Sequence, residues 1–278
     1  PDELVSMFPE LGELAKINSR LVRNMWSHDL RFSHYNLLAK EIQKEVKKGV
    51  TGIIVTLGTD TLHYASAALV FALENLPIPV LLVGAQRSSD RGSSDAAFNL
   101  VHAAYFITHS PFVGVGVCMH WTSNDDACAI LPACKVRKMH TSRRDAFRPV
   151  NGDALAFVDY KEKNVTMMAP VHKPSKPLKL RLFNEDLKVG LLKVHPHMYP
   201  SEFSSYKGFD GLVIEGSGLG HIPGHVIDKK TELHTKVFSA VKGLISKGTT
   251  VTMSSQCIFG RVNMDVYSKG KDIQKLGV

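Results

Sequence analysis

Long apolar runs are missing: none of the 278 residues belongs to one approaching the ~20 positions that a helix needs to cross a bilayer. The expectation is therefore a protein without membrane contact. Cysteine is scarce, and no two of Cys118, Cys128, Cys134 and Cys257 stand at C-x-x-C spacing. This leaves neither a zinc knuckle nor a disulfide framework to expect, only reduced thiols in a cytoplasmic protein. Internal repeats and low-complexity tracts are missing too, which sets aside solenoids and biased-composition tails. Acidic residues are in deficit, 26 against 34 Lys and Arg, for a net charge of +8. That excess favours a polyanionic partner through counterion release and says nothing about fold. An initiator methionine is absent at Pro1, and the terminal KDIQKLGV stops without a closing helix. The expectation is an excerpt of a longer protein, lacking both its beginning and its end.

What is present is ordinary globular material, 44% hydrophobic and 22% charged, long enough for one large domain or two smaller ones. Short apolar runs alternate with amphipathic segments, the pattern of parallel βαβ units. A helix is expected over DELVSMFPELGEL, and strands at RLVRNM, GIIVTL (52–57, buried on both faces), PVLLVGA and FVGVGVCM. Between them fall helices, one capped by Ser33 with Tyr35, Leu38, Ile42 and Val46 on one face. A second carries Leu62, Ala65, Leu69, Leu73 and Leu76, and a third over SSDAAFNLVHAAYFI is capped by Ser93 or Ser94. ALAFVD and NVTMMAP read as a hairpin. The proline- and lysine-rich VHKPSKPLKLRLFNED reads as a linker, after which the βα rhythm resumes through VGLLKVHP, GLVIEGSG and TTVTMSSQ. The fold class is α/β: a doubly wound parallel-sheet N-terminal domain (1–170), a linker (171–187) and a smaller α/β C-terminal domain (188–278).

In such sheets ligands gather at the carboxyl ends of the strands. That picks out residues 27–29, 58–61, 84–90 and 216–221. GTDT after GIIVTL places a hydroxyl, a carboxylate and a second hydroxyl at the mouth of a helix. The bland alternative is that Asp60 or Thr61 merely caps that helix. Lys138, in KMHTSRRDAF, becomes a general base if it is desolvated beside a buried carboxylate and a threonine hydroxyl. Thr59, Asp60 and Lys138 would then form a hydroxyl–amine–carboxylate relay, although spacing alone reads Lys138 as a surface lysine. GSGLGHIPG resembles half of a dinucleotide fingerprint, but the next strand ends in Ser254, Ser255 and Gln256 with no acid for a ribose. His195 and His197 lack a third metal ligand. Basic groups at 87–91, 137–148 and 173–181 face either a polyanion or plain solvent.

VTLGTDTLHYASAAL, VGAQRSSDRGSSDA, KMHTSRRDAF and LVIEGSGLGH, in this order, resemble the L-asparaginase fold family over essentially the whole chain. Within it, QRSSDR and HTSRRDAF are similar to the D subunits of archaeal-type glutamyl-tRNA(Gln) amidotransferases. The resemblance implies hydrolysis of the side-chain amide of glutamine or asparagine. The released ammonia would go to a partner, the E subunit of such an amidotransferase, which uses ATP and Mg²⁺ to convert Glu-tRNA(Gln) to Gln-tRNA(Gln). It implies no cofactor on this chain, a homodimer within a heterotetramer, and tRNA contact through the complex. Thr59, Asp60 and Lys138 would be catalytic. Ser27 would hold the α-carboxylate or amino group, Ala85 and Gln86 would line the amide end, and His221 would reach into a neighbouring copy's pocket. Two departures stand out. The family's TGGTI-like turn, bearing the usual nucleophilic threonine, is absent from these residues, and Leu57 stands where a histidine usually precedes GTDT. A stand-alone L-asparaginase and a non-catalytic assembly module are the other readings.

Overall fold

The structure, a computed structural model, describes residues 8–171 and 173–278. The chain forms two compact units, the first ending at Phe183 and the second spanning Asn184–Val278. Along the first unit run α1 (Pro9–Leu14), α2 (Phe32–Lys47), β1 (Ile53–Thr56), α3 (Leu62–Ala72), β2 (Leu73–Glu74), β3 (Pro79–Val83) and α4 (Ala96–His109). They are followed by β4 (Gly114–His120), β5 (Cys128–Pro132), β6 (Val136–Lys138), β7 (Phe147–Pro149), β8 (Ala156–Asp159), β9 (Asn164–Met167) and β10 (Lys179–Leu180).

A six-stranded sheet in the order β1-β3-β4-β5-β8-β9 forms the backbone of this unit. Its first three strands are parallel, and the rest join antiparallel. The sheet is therefore mixed, and it is wound on both faces. Strand β3 explains why: side chains alternate across a strand, so an unbroken apolar run serves two cores at once. Val80 and Leu82 pack with Ala39 and Ile42 of α2 and Leu62, Ala65 and Leu69 of α3. Leu81 and Val83 pack on the opposite face with Leu100, Ala103 and Phe106 of α4 and Leu11 of α1. Each such side chain contributes about 1.5–3 kcal/mol on burial.

Several expectations are corrected. Strand β1 is half-buried rather than buried on both faces, because among the described residues it pairs with β3 alone. RLVRNM is not a strand. It carries no ladder partner among the described residues, and Arg20 is instead tied to Glu41 and Glu45 of α2. Helix α2 begins at Phe32, with Arg31 rather than Ser33 in the cap position. Asp95, not a serine, precedes α4. The helix expected over DELVSMFPELGEL is found at Pro9–Leu14, and its part before Phe8 lies outside the described residues.

Within residues 171–187, His172 lies outside the described residues. Strand β10 pairs antiparallel with β2. Phe183 stacks on Phe32 at 5.1 Å and exchanges backbone bonds with the Asn36 side chain at 2.9 and 2.8 Å. The first unit thus extends to Phe183.

The second unit contains β11 (Val189–Lys193), α5 (Pro200–Ser204), β12 (Gly211–Gly216), α6 (His234–Ile245), β13 (Thr250–Ser255) and α7 (Ser268–Gln274). Its three strands form a parallel sheet in the order β11-β12-β13. Leu192, Leu212, Ile214, Val237, Val241 and Leu244 form the core of this unit. Among the described residues no helix is long and apolar enough to cross a membrane. All four cysteines are free thiols.

Candidate active site

Because β1 and β3 run parallel and adjacent, their carboxyl ends open on one edge of the sheet. The chain turns there twice, after β1 at residues 57–61 and after β3 at residues 84–95. Two glycines let these turns approach their neighbours. A Cβ on Gly84 would stand 2.8 Å from Thr59 Cγ2 and 2.9 Å from Leu57 O, and one on Gly58 would stand 2.9 Å from Ser27 Oγ. Neither gap admits a methyl group.

Helix α3 starts at Leu62 with Thr61 in the cap position, yet no side chain caps it. The Thr61 hydroxyl donates to Ser27 O at 2.6 Å, tying the short turn Ser27–Asp29, in which Ser27 is buried, to GTDT. The Asp60 carboxylate turns to Lys138. Neither residue is spent on capping, so the bland reading of GTDT fails. Hairpin β6–β7 places Lys138 opposite Phe147 at the end of β6. From there Lys138 Nζ donates to Thr59 Oγ1 and to Asp60 Oδ1, both at 2.9 Å. The burial is the reverse of the expected one: the lysine side chain is 12% exposed and the aspartate 66%. The Lys138 hydrogen bond and positive charge hold Asp60 below the usual aspartate range. Nearby His63 is also held low, by burial first and then by the charges of Arg137 and Lys138.

Gln86 completes this cluster. Its Oε1 accepts from Thr59 Oγ1 at 3.4 Å, while its Nε2 is buried and donates to nothing among the described residues. Ala85 is half-buried between Gly84 and Gln86. The structure thus gathers Ser27, Thr59, Asp60, Gln86 and Lys138 at one strand edge. His221 belongs to the second unit, in a tight turn where Ser217 and His221 bridge after β12. Its Nε2 is buried without a partner among the described residues, in a cavity of about 370 Å³ that His195, His234, Gln256 and Lys269 also line. The dinucleotide likeness ends here, because no helix follows directly: α6 begins only at His234.

Sequence reasoning missed the support of the Gln86 loop. Asp95 is 1% exposed, and its carboxylate accepts from Gln86 N at 3.0 Å and Arg87 N at 2.9 Å. Asn99 Nδ2 donates to Gly84 O at 2.9 Å and to Asp95 Oδ2 at 3.3 Å, so its Oδ1 is left to accept from His120 Nδ1 at 2.7 Å. Burial holds His120 below the usual histidine range, against the opposing pull of Asp125. Asp95, just before α4, and Asn99 stand at i, i+4, a spacing that puts two side chains on one helix face but does not say that they hold the Gln86 loop.

Much of the basic 137–148 segment is already neutralised. Arg143 and Arg148 both pair with Asp145, and Arg148 also lies 4.5 Å above the Trp121 ring. Arg144 pairs with Asp125, and Arg181 with Glu74. Among the described residues Arg87, Arg91 and Arg137 form no ion pair. His195 binds Glu202 at 2.9 Å and His197 binds the Tyr199 hydroxyl at 2.8 Å, and the described residues contain no cluster able to hold a metal.

Comparison with known proteins adds a second line. The asparaginase N-terminal domain model matches residues 1–171, and the glutaminase/asparaginase C-terminal domain model matches residues 188–278. The D subunit of the glutamyl-tRNA(Gln) amidotransferase of Thermofilum pendens is 42% identical, over 100% of this chain and 60% of that protein. The chain therefore spans about three fifths of that relative. The thermostable L-asparaginase from Thermococcus kodakarensis superposes with a TM-score of 0.83 at 26% identity, covering 100% of this chain and 79% of the other. L-asparaginase I from Vibrio cholerae, at 22% identity and TM-score 0.84, shares the fold over 100% of this chain and 80% of its own.

Proposed function

This chain belongs to the asparaginase family, and from that premise we propose that it hydrolyses a side-chain amide, releasing ammonia from glutamine or asparagine. The observation that carries this reading is the single ammonium of Lys138 within 2.9 Å of both Thr59 Oγ1 and Asp60 Oδ1. In its amine form Lys138 takes a proton from the Thr59 hydroxyl, which in turn draws one from the attacking oxygen, a water's or a threonine's. The carboxylate of Asp60 balances the charge that accumulates on the amine. The same proton then returns to the departing nitrogen as ammonia leaves: an attacking water gives the acid directly, and an attacking threonine gives an ester that a water then hydrolyses to the acid.

Family likeness supports the roles in substrate handling. Ser27 holds the α-carboxylate or amino group, Ala85 and Gln86 line the amide end, and His221 serves the pocket of a neighbouring copy in a homodimer. The likeness to an amidotransferase D subunit supports a finer reading. Ammonia passes to a partner of the E-subunit kind, which spends ATP with Mg²⁺ to turn Glu-tRNA(Gln) into Gln-tRNA(Gln) within a heterotetramer in the cytoplasm. The likeness to a thermostable L-asparaginase supports a stand-alone enzyme as the second reading. Ammonia release by the full-length protein separates them. Faster glutamine turnover when partner and Glu-tRNA are added supports the first, and full-rate asparagine turnover without either supports the second.

A further inference from the structure

Among the described residues no backbone hydrogen bond joins the β6–β7 hairpin to the loop of residues 84–95. Lys138 arrives on the β6–β7 hairpin, and Gln86 on the loop of residues 84–95. The two are joined by Arg144, which sits in the hairpin turn. Its guanidinium donates to Ser93 O at 2.7 Å and to Asp125 Oδ1 at 2.8 Å. We propose that Arg144 is a positioning residue, which fixes the Gln86 loop against the Lys138 hairpin and so sets the geometry of the amide end of the site. The proposal rests on the amide-hydrolase reading and adds to it a residue outside the relay.

An Arg–Asp contact whose carboxylate is 62% exposed is weak support by itself, since such pairs contribute little. Three features set this one apart. The first is that one planar guanidinium serves two acceptors in different segments, a geometry that a lysine's point charge reproduces at one acceptor only. Another lies in the backbone: Ser93, whose carbonyl is gripped, has φ of +60°, a conformation that non-glycine residues keep where their surroundings enforce it. The last is that the other partner leads inward. Asp125 Oδ1 also meets the fully buried His120 Nε2 at 3.2 Å, His120 meets Asn99, and Asn99 and Asp95 hold Gly84, Gln86 and Arg87 from below. The loop is therefore held from within by a buried polar network and from the hairpin side by Arg144. Losing the outer grip frees the loop end while leaving the inner one intact. Because misplacement of about 1 Å at a reacting centre can cost as much as 10²-fold in rate, the effect falls on turnover.

The test uses the full-length protein with Arg144→Lys and, separately, Asp125→Asn. Two readouts are taken: the steady-state kinetics of ammonia release, and amide hydrogen exchange resolved by segment. Arg144→Lys is expected to lower kcat about tenfold or more with KM nearly unchanged. Exchange should quicken within residues 84–95 and stay as in the parent along β11. Asp125→Asn, which keeps an oxygen acceptor, should show the same pattern more weakly. Parent-like kcat together with parent-like exchange at 84–95 overturns the proposal. So does faster exchange throughout the first unit, which would mark a purely structural role. A parent protein that releases no ammonia would sink the amide-hydrolase reading instead, while the exchange data still judge the linkage.

Discussion

Asp60 shows how much one side chain's direction decides. At the mouth of α3 it could have capped the helix, yet its carboxylate faces Lys138 at 2.9 Å. With its pKa depressed by that contact, the ion pair is present above the ordinary aspartate value of about 3.9 and is lost only as pH falls through the lower folded value. Asp60 therefore stays ionised across the neutral range and sets no limb of the activity profile there. Asp60→Asn is expected to lower kcat by about 10²-fold at every pH from about 6 to about 9. Because the carboxylate is 66% exposed, stability should move by less than about 1 kcal/mol. A pH–rate profile and a urea titration of the same variant check both halves; a large loss of stability would make Asp60 a structural residue.

Elements turn these choices into a site. Asp95 sits where a helix cap is expected and instead accepts two loop N–H groups from a position 1% exposed. Asp95→Ala removes the carboxylate from both N–H groups, a loss of about 1.5–3 kcal/mol for each hydrogen bond to a charged group. It should lower the urea midpoint and kcat together, whereas unchanged unfolding would contradict the role given to this carboxylate. On the same helix, His102 Nδ1 donates to Phe98 O at 2.7 Å and Nε2 accepts from Tyr160 N at 3.2 Å, so the ring is neutral. Burial holds its pKa low, and the stability it contributes is full above about 6.5 and fades as pH falls through the folded value. His102→Gln offers a donor and an acceptor without titrating. It should narrow the drop in Tm between about pH 7.5 and about pH 5.5; an equal drop in parent and variant would remove His102 as a source of acid sensitivity. The elements themselves were readable where apolar patterning is strong, as in β3, the start of α3 and the parallel strands of the second unit, but α3 ends at Ala72, and Leu73, expected on it, opens β2. RLVRNM misled because an apolar run carries no information about whether a ladder partner exists. Lys138 could be reached only by family likeness, since its contact with Thr59 spans 79 positions of sequence. Asp95 and Asn99 stayed hidden because composition does not reveal where a polar side chain points.

The molecule as a whole joins an asparaginase-type first unit to a second, smaller α/β unit and carries an excess positive charge of +8. Little of that excess is free on the hairpin, where Asp145 and Asp125 engage three arginines. Under the proposed amidotransferase reading, Arg137→Ala should flatten the dependence of log tRNA affinity on log salt by about 1. Arg148→Ala should leave it unchanged, and equal slopes for both variants would mean that neither arginine meets a phosphate. The most direct test of the account lies in one amine. Replacing Lys138 by Met keeps the length of the side chain and removes the nitrogen that joins Thr59 to Asp60. Steady-state ammonia release by the full-length protein should then fall by about 10³-fold or more in kcat, with folding intact; a Lys138→Met protein turning over within a few-fold of its parent would contradict it.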